Sequence, residues 1–194
     1  MTTLRHLPAS GFRRMPWKNG GGETIEIAAF PEGAGLDAFL WRVSMAKVAT
    51  SGPFSVFPGI DRTLSVLSGE AIQLTFGECA AIQLDRTSAP YSFAGDLAVS
   101  GEVSGIGISD LNVMSRRGVA RHHVSRMRIE GTRDITQLGS CVLVFSPEAA
   151  VSICAGAEGL ALAKGDAAQI AGCDGTISIE TTQPAEIFLI DLWT

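Results

Sequence analysis

The chain has 194 residues, of which 46% are hydrophobic and only 18% are charged. This length suits one large domain or two small ones, and a mean hydropathy of +0.25 makes a membrane protein the first class to test. No stretch approaches the ~20 consecutive apolar residues of a spanning helix, and the start of the chain lacks the apolar core of a signal peptide. The net charge of −5 argues against nucleic-acid binding. We therefore expect neither a membrane nor a nucleic acid as partner.

The basic residues and the cysteines give two further expectations. Twelve of the 15 basic residues are arginine, whose planar fork suits ion pairs and anions, although a general surface bias explains the count equally well. No pair of the four cysteines has CxxC spacing, and each stands in apolar or glycine-rich sequence: Cys79, Cys141, Cys154 and Cys173. The pattern predicts small buried thiols and, without an export signal, a cytoplasmic protein.

The predicted elements are almost all β-strands. Residues 23–28 and 40–46 alternate between polar and apolar side chains, as half-buried strands do. Further strands are predicted, in chain order, over 63–67, 71–76, 81–84, 97–99, 103–108, 111–114, 141–145, 151–154, 160–162, 166–170, 177–179 and 186–190. Residues 125–133 alone carry a weak helical pattern. Short strands separated by turn signals are typical of a sandwich or a barrel.

A polar, basic segment at residues 115–123 separates two β-rich lobes. We predict an amino-terminal domain at 1–117 that carries the candidate pocket, and a smaller carboxy-terminal domain at 118–194. The basic stretch from Arg116 to Arg128 favours either an ion-paired linker or a contact for an acidic partner or a second subunit.

The usual catalytic motifs are absent from the sequence. The histidines are His6, His122 and His123, and neighbouring residues of a strand point to opposite faces, so we expect no bound metal and no other cofactor. There is no GxSxG elbow. The run Gly20 to Gly22 lacks P-loop spacing and precedes a strand, which favours a tight loop in which side chains do not fit.

Candidate site residues concentrate in the first lobe. Positively charged, aromatic and amide side chains stand there beside Gly-rich and Pro-rich loops, and both faces of a barrel strand can be enclosed. The residues predicted to bind a ligand are Trp17, Lys18, Asn19, Glu23, Arg42, Ser44, Phe54, Phe57, Arg62, Phe93, Asp96 and Asn112.

The chain resembles the HutD/Ves family of bacterial bicupin proteins. The matching segments follow the family order and are Pro16 to Ile27, Trp41 to Ala46, Gly52 to Arg62, Phe93 to Asp96 and Asp110 to Arg116. The resemblance implies an all-β fold of duplicated cupin-type barrels (jelly rolls) without the usual metal-binding histidines. It also implies a link to histidine utilisation or to environmental stress. The implied ligands are the carboxylates urocanate or formylglutamate.

Three hypotheses follow for the function. The first is a non-enzymatic regulatory protein that binds a small anionic metabolite, with Arg42 and Arg62 holding a carboxylate. The second is a metal-free enzyme acting on a small carboxylic acid, with Glu23 or Asp96 as general base and Lys18 or Arg62 stabilising negative charge. The third is a stress-related structural or interaction protein. A homodimer is the expected assembly, because an open barrel edge tends to be covered.

Overall fold

The computed structural model describes residues 2–17, 20–173 and 175–194. These residues form an all-β chain, in which the one helical element is the short 3₁₀ turn Ala9–Gly11. The chain divides into two compact units. The first unit is Arg13–Arg121, and the second joins the amino-terminal segment ending at Phe12 to His122–Thr194. Within the described ranges, no helix has the length and apolar character needed to cross a bilayer.

The first unit contains two antiparallel sheets. Its strands are β2 (Arg13–Pro16), β3 (Gly22–Phe30), β4 (Trp41–Val48), β5 (Gly52–Pro53), β6 (Ile60–Gly69), β7 (Ala71–Phe76), β8 (Ile82–Asp85), β9 (Tyr91–Ala94), β10 (Val99–Val103) and β11 (Ile108–Arg116). The six-stranded sheet has the order β2-β3-β4-β11-β6-β9, and the four-stranded sheet has the order β5-β10-β7-β8. The inner strands β4, β6 and β11 are buried along nearly their whole length, which means that both of their faces are covered.

The second unit is one seven-stranded sheet. Its strands are β1 (Thr3–Leu7), β12 (Arg121–Thr136), β13 (Cys141–Phe145), β14 (Val151–Ala155), β15 (Glu158–Leu162), β16 (Ala167–Ala171) and β17 (Thr176–Trp193). The order is β1-β16-β13-β17-β14-β15, with β12 also paired to β17. Aliphatic side chains such as Ile153, Ile170 and Ile187 are completely buried and fill its core.

The predicted domain boundary is wrong for the amino-terminal segment, which belongs to the second unit. The sequence placed residues 1–12 in the first domain, but β1 pairs with β16 along its full length. His6 Nε2 also lies 2.7 Å from Asp166 Oδ2, and the same carboxylate accepts a hydrogen bond from the Ala9 backbone N–H. This pairing is between residues far apart in sequence, so the strand pattern of β1 alone could not show which unit it joins.

Two local predictions are wrong. Residues 125–133 are not helical, because they lie inside strand β12, which pairs with the long strand β17. The cysteines are all free, as expected without CxxC spacing, but they are not all buried. Cys173 is buried, Cys141 is half-buried, and Cys79 and Cys154 are exposed. In β14, Cys154 takes an outward position between the buried Ile153 and Ala155.

Candidate functional site

The strand register of the six-stranded sheet brings the polar residues of the first unit together. Met114 of β11 lies opposite Arg42 of β4 on one side and Arg62 of β6 on the other. Two residues earlier, Asn112 lies opposite Ser44. Residues directly opposite each other, and residues two apart on a strand, share one face of a sheet. Arg42, Arg62 and Asn112 therefore project from the same face.

This face lines a cavity of about 670 Å³. Strands β3, β4, β6 and β11 form one wall, and the segment from Thr50 to Phe57 together with residues around Trp17 forms another. The lining residues are Met15, Pro16, Trp17, Thr24, Leu36, Arg42, Ser44, Ala46, Val48, Thr50, Ser51, Gly52, Pro53, Phe54, Ser55, Phe57, Arg62, Asp110, Asn112 and Met114. The volume is within the usual range for small-molecule sites.

Arg62 is a deeply buried cation of the cavity wall, with 6% of its surface exposed, and Arg42 is buried to a similar degree. Its guanidinium carbon lies 5.2 to 5.6 Å from the centres of three rings, Phe54, Phe57 and Phe93. Its Nη2 donates a 2.7 Å hydrogen bond to Oδ1 of Asn112, while its buried Nε has no hydrogen-bond partner in the described part of the chain. Burial lowers the pKa of Arg62 to about 10, so the side chain is still cationic at neutral pH.

Asp110 lies on the same strand face, two residues before Asn112, and is completely buried. Its Oδ1 accepts a hydrogen bond from Nδ2 of Asn112, whereas its buried Oδ2 has no partner among the described residues. Burial raises the pKa of Asp110 to about 7, even though the positive charge of Arg62 and the Asn112 hydrogen bond act to lower it. Near neutral pH both the protonated and the ionised form of this carboxyl group are therefore populated.

Arg42 is held in place by a buried carboxylate. Its Nε donates a 2.6 Å hydrogen bond to Oε2 of Glu26 on β3, and Oε1 of Glu26 lies 3.2 Å from Nη2 of Arg13. The side chain of Arg42 is 5% exposed, so this ion pair is shielded from water. The charge of Arg42 is also close enough to lower the pKa of Arg62 further. Because Glu26 compensates the charge of Arg42, Arg62 is the arginine of this wall whose charge has no direct ion pair among the described residues.

Seven of the predicted ligand-binding residues line this one cavity: Trp17, Arg42, Ser44, Phe54, Phe57, Arg62 and Asn112. Phe93 is not on the lining but packs against Arg62. Lys18 and Asn19 lie outside the described residues.

Glu23 and Asp96 do not reach the cavity, contrary to the prediction. Glu23 binds Arg14 at 3.0 Å and Lys47 at 2.9 Å, and the hydrogen bond from Lys47 is the main cause that keeps its pKa below the usual value. Asp96 accepts hydrogen bonds from the Gly59 backbone N–H and from Arg117, which lower its pKa in the same way. Both carboxylates serve ion pairs and loop structure at the surface, so neither has the raised pKa expected of a general base.

Two carboxylates of the site were missed by sequence analysis. Asp110 and Glu26 are both buried beside an arginine of the cavity wall. The strand alternation contained the signal for Asp110, because it stands two residues before Asn112 and must share its face. A bulge between Glu26 and Ala28 shifts the register of β3 against β4, which hides the position of Glu26 from a simple alternation rule.

The basic segment from Arg116 to Arg128 is largely engaged within its own units. Arg116 donates to the backbone oxygens of Asp37 and Phe39, and Arg117 pairs with Asp61 and Asp96. In the second unit, arginines of this segment pair with acidic neighbours: Arg126 with Glu186, and Arg128 with Glu130.

The cavity does not fit a metal ion. Within the described ranges, no three His, Cys, Asp or Glu side chains converge as metal ligands. The carboxylate on the cavity lining is that of Asp110, and it stands beside two arginines that repel a divalent cation. The cavity instead offers hydrogen-bond donors and positive charge.

This all-β chain, with a cavity on one face of its six-stranded sheet, has a cupin-like fold. A bacterial pirin from Escherichia coli, solved in complex with nickel(II), shares this fold with a TM-score of 0.72 at 11% identity, covering 97% of this chain and 98% of the pirin. The family model for HutD matches residues 9–189. The chain belongs to the HutD family.

Relatives of known sequence and structure agree with this assignment. An uncharacterised 21.2 kDa protein in the hutC 3′ region of Pseudomonas putida is 34% identical over 93% of each chain. Protein Ves of Citrobacter koseri is 39% identical over 66% of this chain and 65% of its own. HutD from Pseudomonas fluorescens has a TM-score of 0.81 at 32% identity, covering 98% of each chain. A conserved protein of unknown function from Pseudomonas aeruginosa reaches a TM-score of 0.91 at 33% identity, covering 99% of this chain and 100% of its own.

Proposed function

We propose that this protein is a non-enzymatic binding protein with a regulatory role, and that the cavity of its first unit holds a small anionic metabolite. One observation carries the proposal. Arg62 is a buried cation on the cavity lining that donates to two neutral oxygens, Oδ1 of Asn112 and, at 3.4 Å, the backbone oxygen of Ser55, and its Nε has no partner among the described residues. A buried, incompletely paired charge is costly, and an anion that reaches it relieves this cost.

The shape of the arginine groups favours a carboxylate. A guanidinium presents parallel N–H donors that match the two oxygens of a carboxylate, and such charge-assisted bonds are stronger in a water-poor site. The rings of Phe54, Phe57 and Phe93 surround the Arg62 guanidinium and restrict the positions that it can take, while its Nε has no hydrogen-bond partner among the described residues. The side chains of Trp17 and Met114 add apolar surface for the rest of the ligand.

The family membership suggests which carboxylates to try. HutD is the name of the matching family, and the relative from Pseudomonas putida is described by its position in a hutC 3′ region. Urocanate and formylglutamate, intermediates of histidine breakdown, both carry carboxylates. Both are within the usual size range of ligands for a cavity of about 670 Å³.

Titration calorimetry with urocanate and formylglutamate tests the proposal. The variant Arg62→Met keeps the length and apolar packing of the side chain but removes the charge and the donors. Losing one partner of a buried charged contact costs about 2–5 kcal/mol, so its affinity should fall by a factor of about 30 or more. Arg117→Met is the matched control, because Arg117 is an exposed arginine of the same unit that pairs with Asp61 and Asp96.

The possible outcomes distinguish a wrong choice of ligand from a wrong choice of binding site. If the unaltered protein binds neither acid, these metabolites are not its ligands. If Arg62→Met binds as tightly as the unaltered protein, the cavity is not the binding site. Equal losses in Arg62→Met and Arg117→Met would point to a general charge effect and would also contradict the proposal.

A metal-free enzyme is the second candidate, and Asp110 is the observation that favours it. A carboxyl group with a pKa of about 7 at a cavity wall is the property expected of a general acid or base. Asp110 would replace Glu23 and Asp96 in that role. Turnover of a panel of small carboxylic acids that disappears in Asp110→Asn would support catalysis, whereas binding without turnover would favour the first candidate.

We also infer that the two units are duplicated cupin-type barrels. Both consist of antiparallel strands, and the buried cluster of Arg42, Arg62 and Asn112 that lines the cavity belongs to the first unit. In this interpretation the second unit has lost its site, since its interior is filled by aliphatic side chains.

A further inference from the structure

We propose that the cavity takes up its anion together with a proton, and that Asp110 holds this proton. The inference rests on the proposed function, because it describes how the same cavity accommodates a carboxylate. The two carboxyl oxygens of Asp110 have different hydrogen-bonding surroundings. Oδ1 of Asp110 accepts a hydrogen bond from Asn112, while Oδ2 is buried without a partner among the described residues.

The surroundings of Asp110 offer no direct cation to its free oxygen. The residues opposite it in the sheet are Ala46 on β4 and Val66 on β6, which have no polar side-chain atoms. Arg62 reaches Asp110 only through the amide of Asn112, which accepts from the arginine and donates to the carboxyl group. Once protonated, Asp110 is a neutral residue of the cavity wall and no longer offsets the positive charge of Arg62.

The charge balance of the cavity favours the protonated form in the complex. Strand β3 contributes Glu26, β4 contributes Arg42 and β6 contributes Arg62, while Arg13 of β2 binds Glu26 from a half-exposed position. The lining segment from Thr50 to Phe57 has no titratable side chain. Glu26 neutralises Arg42, so the remaining pair is Arg62 and Asp110.

An incoming anion disturbs this balance. If Asp110 is ionised, Arg62 is already offset, and a carboxylate adds an uncompensated negative charge to a water-poor site. If Asp110 is neutral, Arg62 is free to balance the anion. By linkage, an anion bound beside Asp110 must raise the affinity of Asp110 for its proton. The pKa of Asp110 is already about 7 without a ligand, so this uptake falls in an accessible pH range.

Calorimetry with formylglutamate measures the proton uptake that accompanies binding. Both carboxyl groups of this probe are fully ionised between pH 6 and pH 9, so they do not contribute protons. Titrations at pH 8 in triethanolamine and in Tris, two cationic buffers whose heats of ionisation differ, give the number of protons taken up per ligand bound. We expect ~0.8 proton if the anion raises the pKa of Asp110 by two or more. The affinity should fall by a factor of about six to eight between pH 7.5 and pH 8.5.

The isosteric variant Asp110→Asn identifies the proton carrier. Its amide cannot titrate, but it can still donate a hydrogen bond. We expect it to bind formylglutamate with no proton uptake and with an affinity that is constant from pH 6 to pH 8.5. Asp37→Asn is the control, because Asp37 is an exposed carboxylate of the same unit, and its proton uptake should match that of the unaltered protein.

The results separate this inference from the proposed function. If the unaltered protein binds formylglutamate with no proton uptake and no pH dependence, the inference is wrong although the cavity still binds an anion. If uptake persists in Asp110→Asn, another group holds the proton, and the inference is wrong as well. If nothing binds at any pH, the choice of ligand under the proposed function fails first. The uptake by the unaltered protein is informative even if Asp110→Asn does not fold.

Discussion

Replacing Asp110 by asparagine should stabilise the protein, and the gain should depend on pH. Asp110 is completely buried, and burial raises its pKa from 3.8 to about 7. The folded chain therefore holds this proton more tightly than the unfolded chain does. Such a group does not lower the stability of the fold at a pH below its pKa in the unfolded chain. As the pH rises towards its pKa in the folded chain, it lowers the free energy of unfolding by an increasing amount.

The size of the effect follows from the two pKa values. The interval between 3.8 and about 7 corresponds to about 4 kcal/mol of unfolding free energy. Between pH 4 and pH 7 the unaltered protein should lose about 1.4 kcal/mol per pH unit relative to Asp110→Asn. The variant should be about as stable as the unaltered protein at pH 4. Above pH 8 it should be more stable by up to about 4 kcal/mol.

Urea unfolding at pH 5, 6, 7 and 8 measures this difference. A Trp193→Phe background leaves Trp17 and Trp41, which both belong to the first unit, as fluorescence probes of the unit that contains Asp110. The stability difference between the two proteins should widen steadily with pH. A difference that is the same at pH 5 and pH 8 would refute the argument, because Asp110 would then ionise at its ordinary pKa in the folded protein.

Two further predictions concern structure outside the arginine cluster. Gly22→Ala should lower the unfolding free energy by about 1–3 kcal/mol, because a Cβ there would lie 2.1 Å from the backbone oxygen of Lys47. Gly35→Ala, where a Cβ meets nothing within 4 Å, should change it by less than about 0.5 kcal/mol, and equal effects would contradict this reading. Asp166→Ala should cost about 2–4 kcal/mol, because this buried carboxylate accepts bonds from His6 and from the Ala9 and Ala163 backbone N–H groups. Thermal unfolding of these variants gives the values, and an unchanged melting temperature for Asp166→Ala would show that its bonds contribute nothing net.

The sequence pattern was sufficient to predict the β architecture and part of the cavity wall. Alternation along the strand that contains Arg42 and Ser44 placed both residues on one face, and the fold closes this face over a cavity. The pattern could not place the amino-terminal strand, because the pairing of β1 with β16 joins distant parts of the chain. The pattern also predicted a weak helix over residues 125–133. These residues form part of strand β12 instead, because β12 pairs with the long strand β17.

The carboxylates show why a site is harder to predict than a strand. Glu23 stands next to the glycine run in sequence, yet its side chain turns to Lys47 and Arg14 at the surface. Glu26, three residues later, reaches Arg42 inside. The choice between these two outcomes depends on a register shift in β3 and on the partner strand, neither of which is encoded in the local pattern. The raised pKa of Asp110 likewise depends on complete burial, which only the tertiary structure defines.

The central claim is that the cavity of the first unit binds a carboxylate through Arg62. A crystal structure of the protein grown with urocanate or formylglutamate tests it most directly. We predict a carboxylate oxygen within about 3 Å of a guanidinium nitrogen of Arg62, at the cavity wall to which Arg62 belongs. A ligand bound elsewhere on the protein, or one in the cavity whose carboxylate points away from Arg62, would contradict the account.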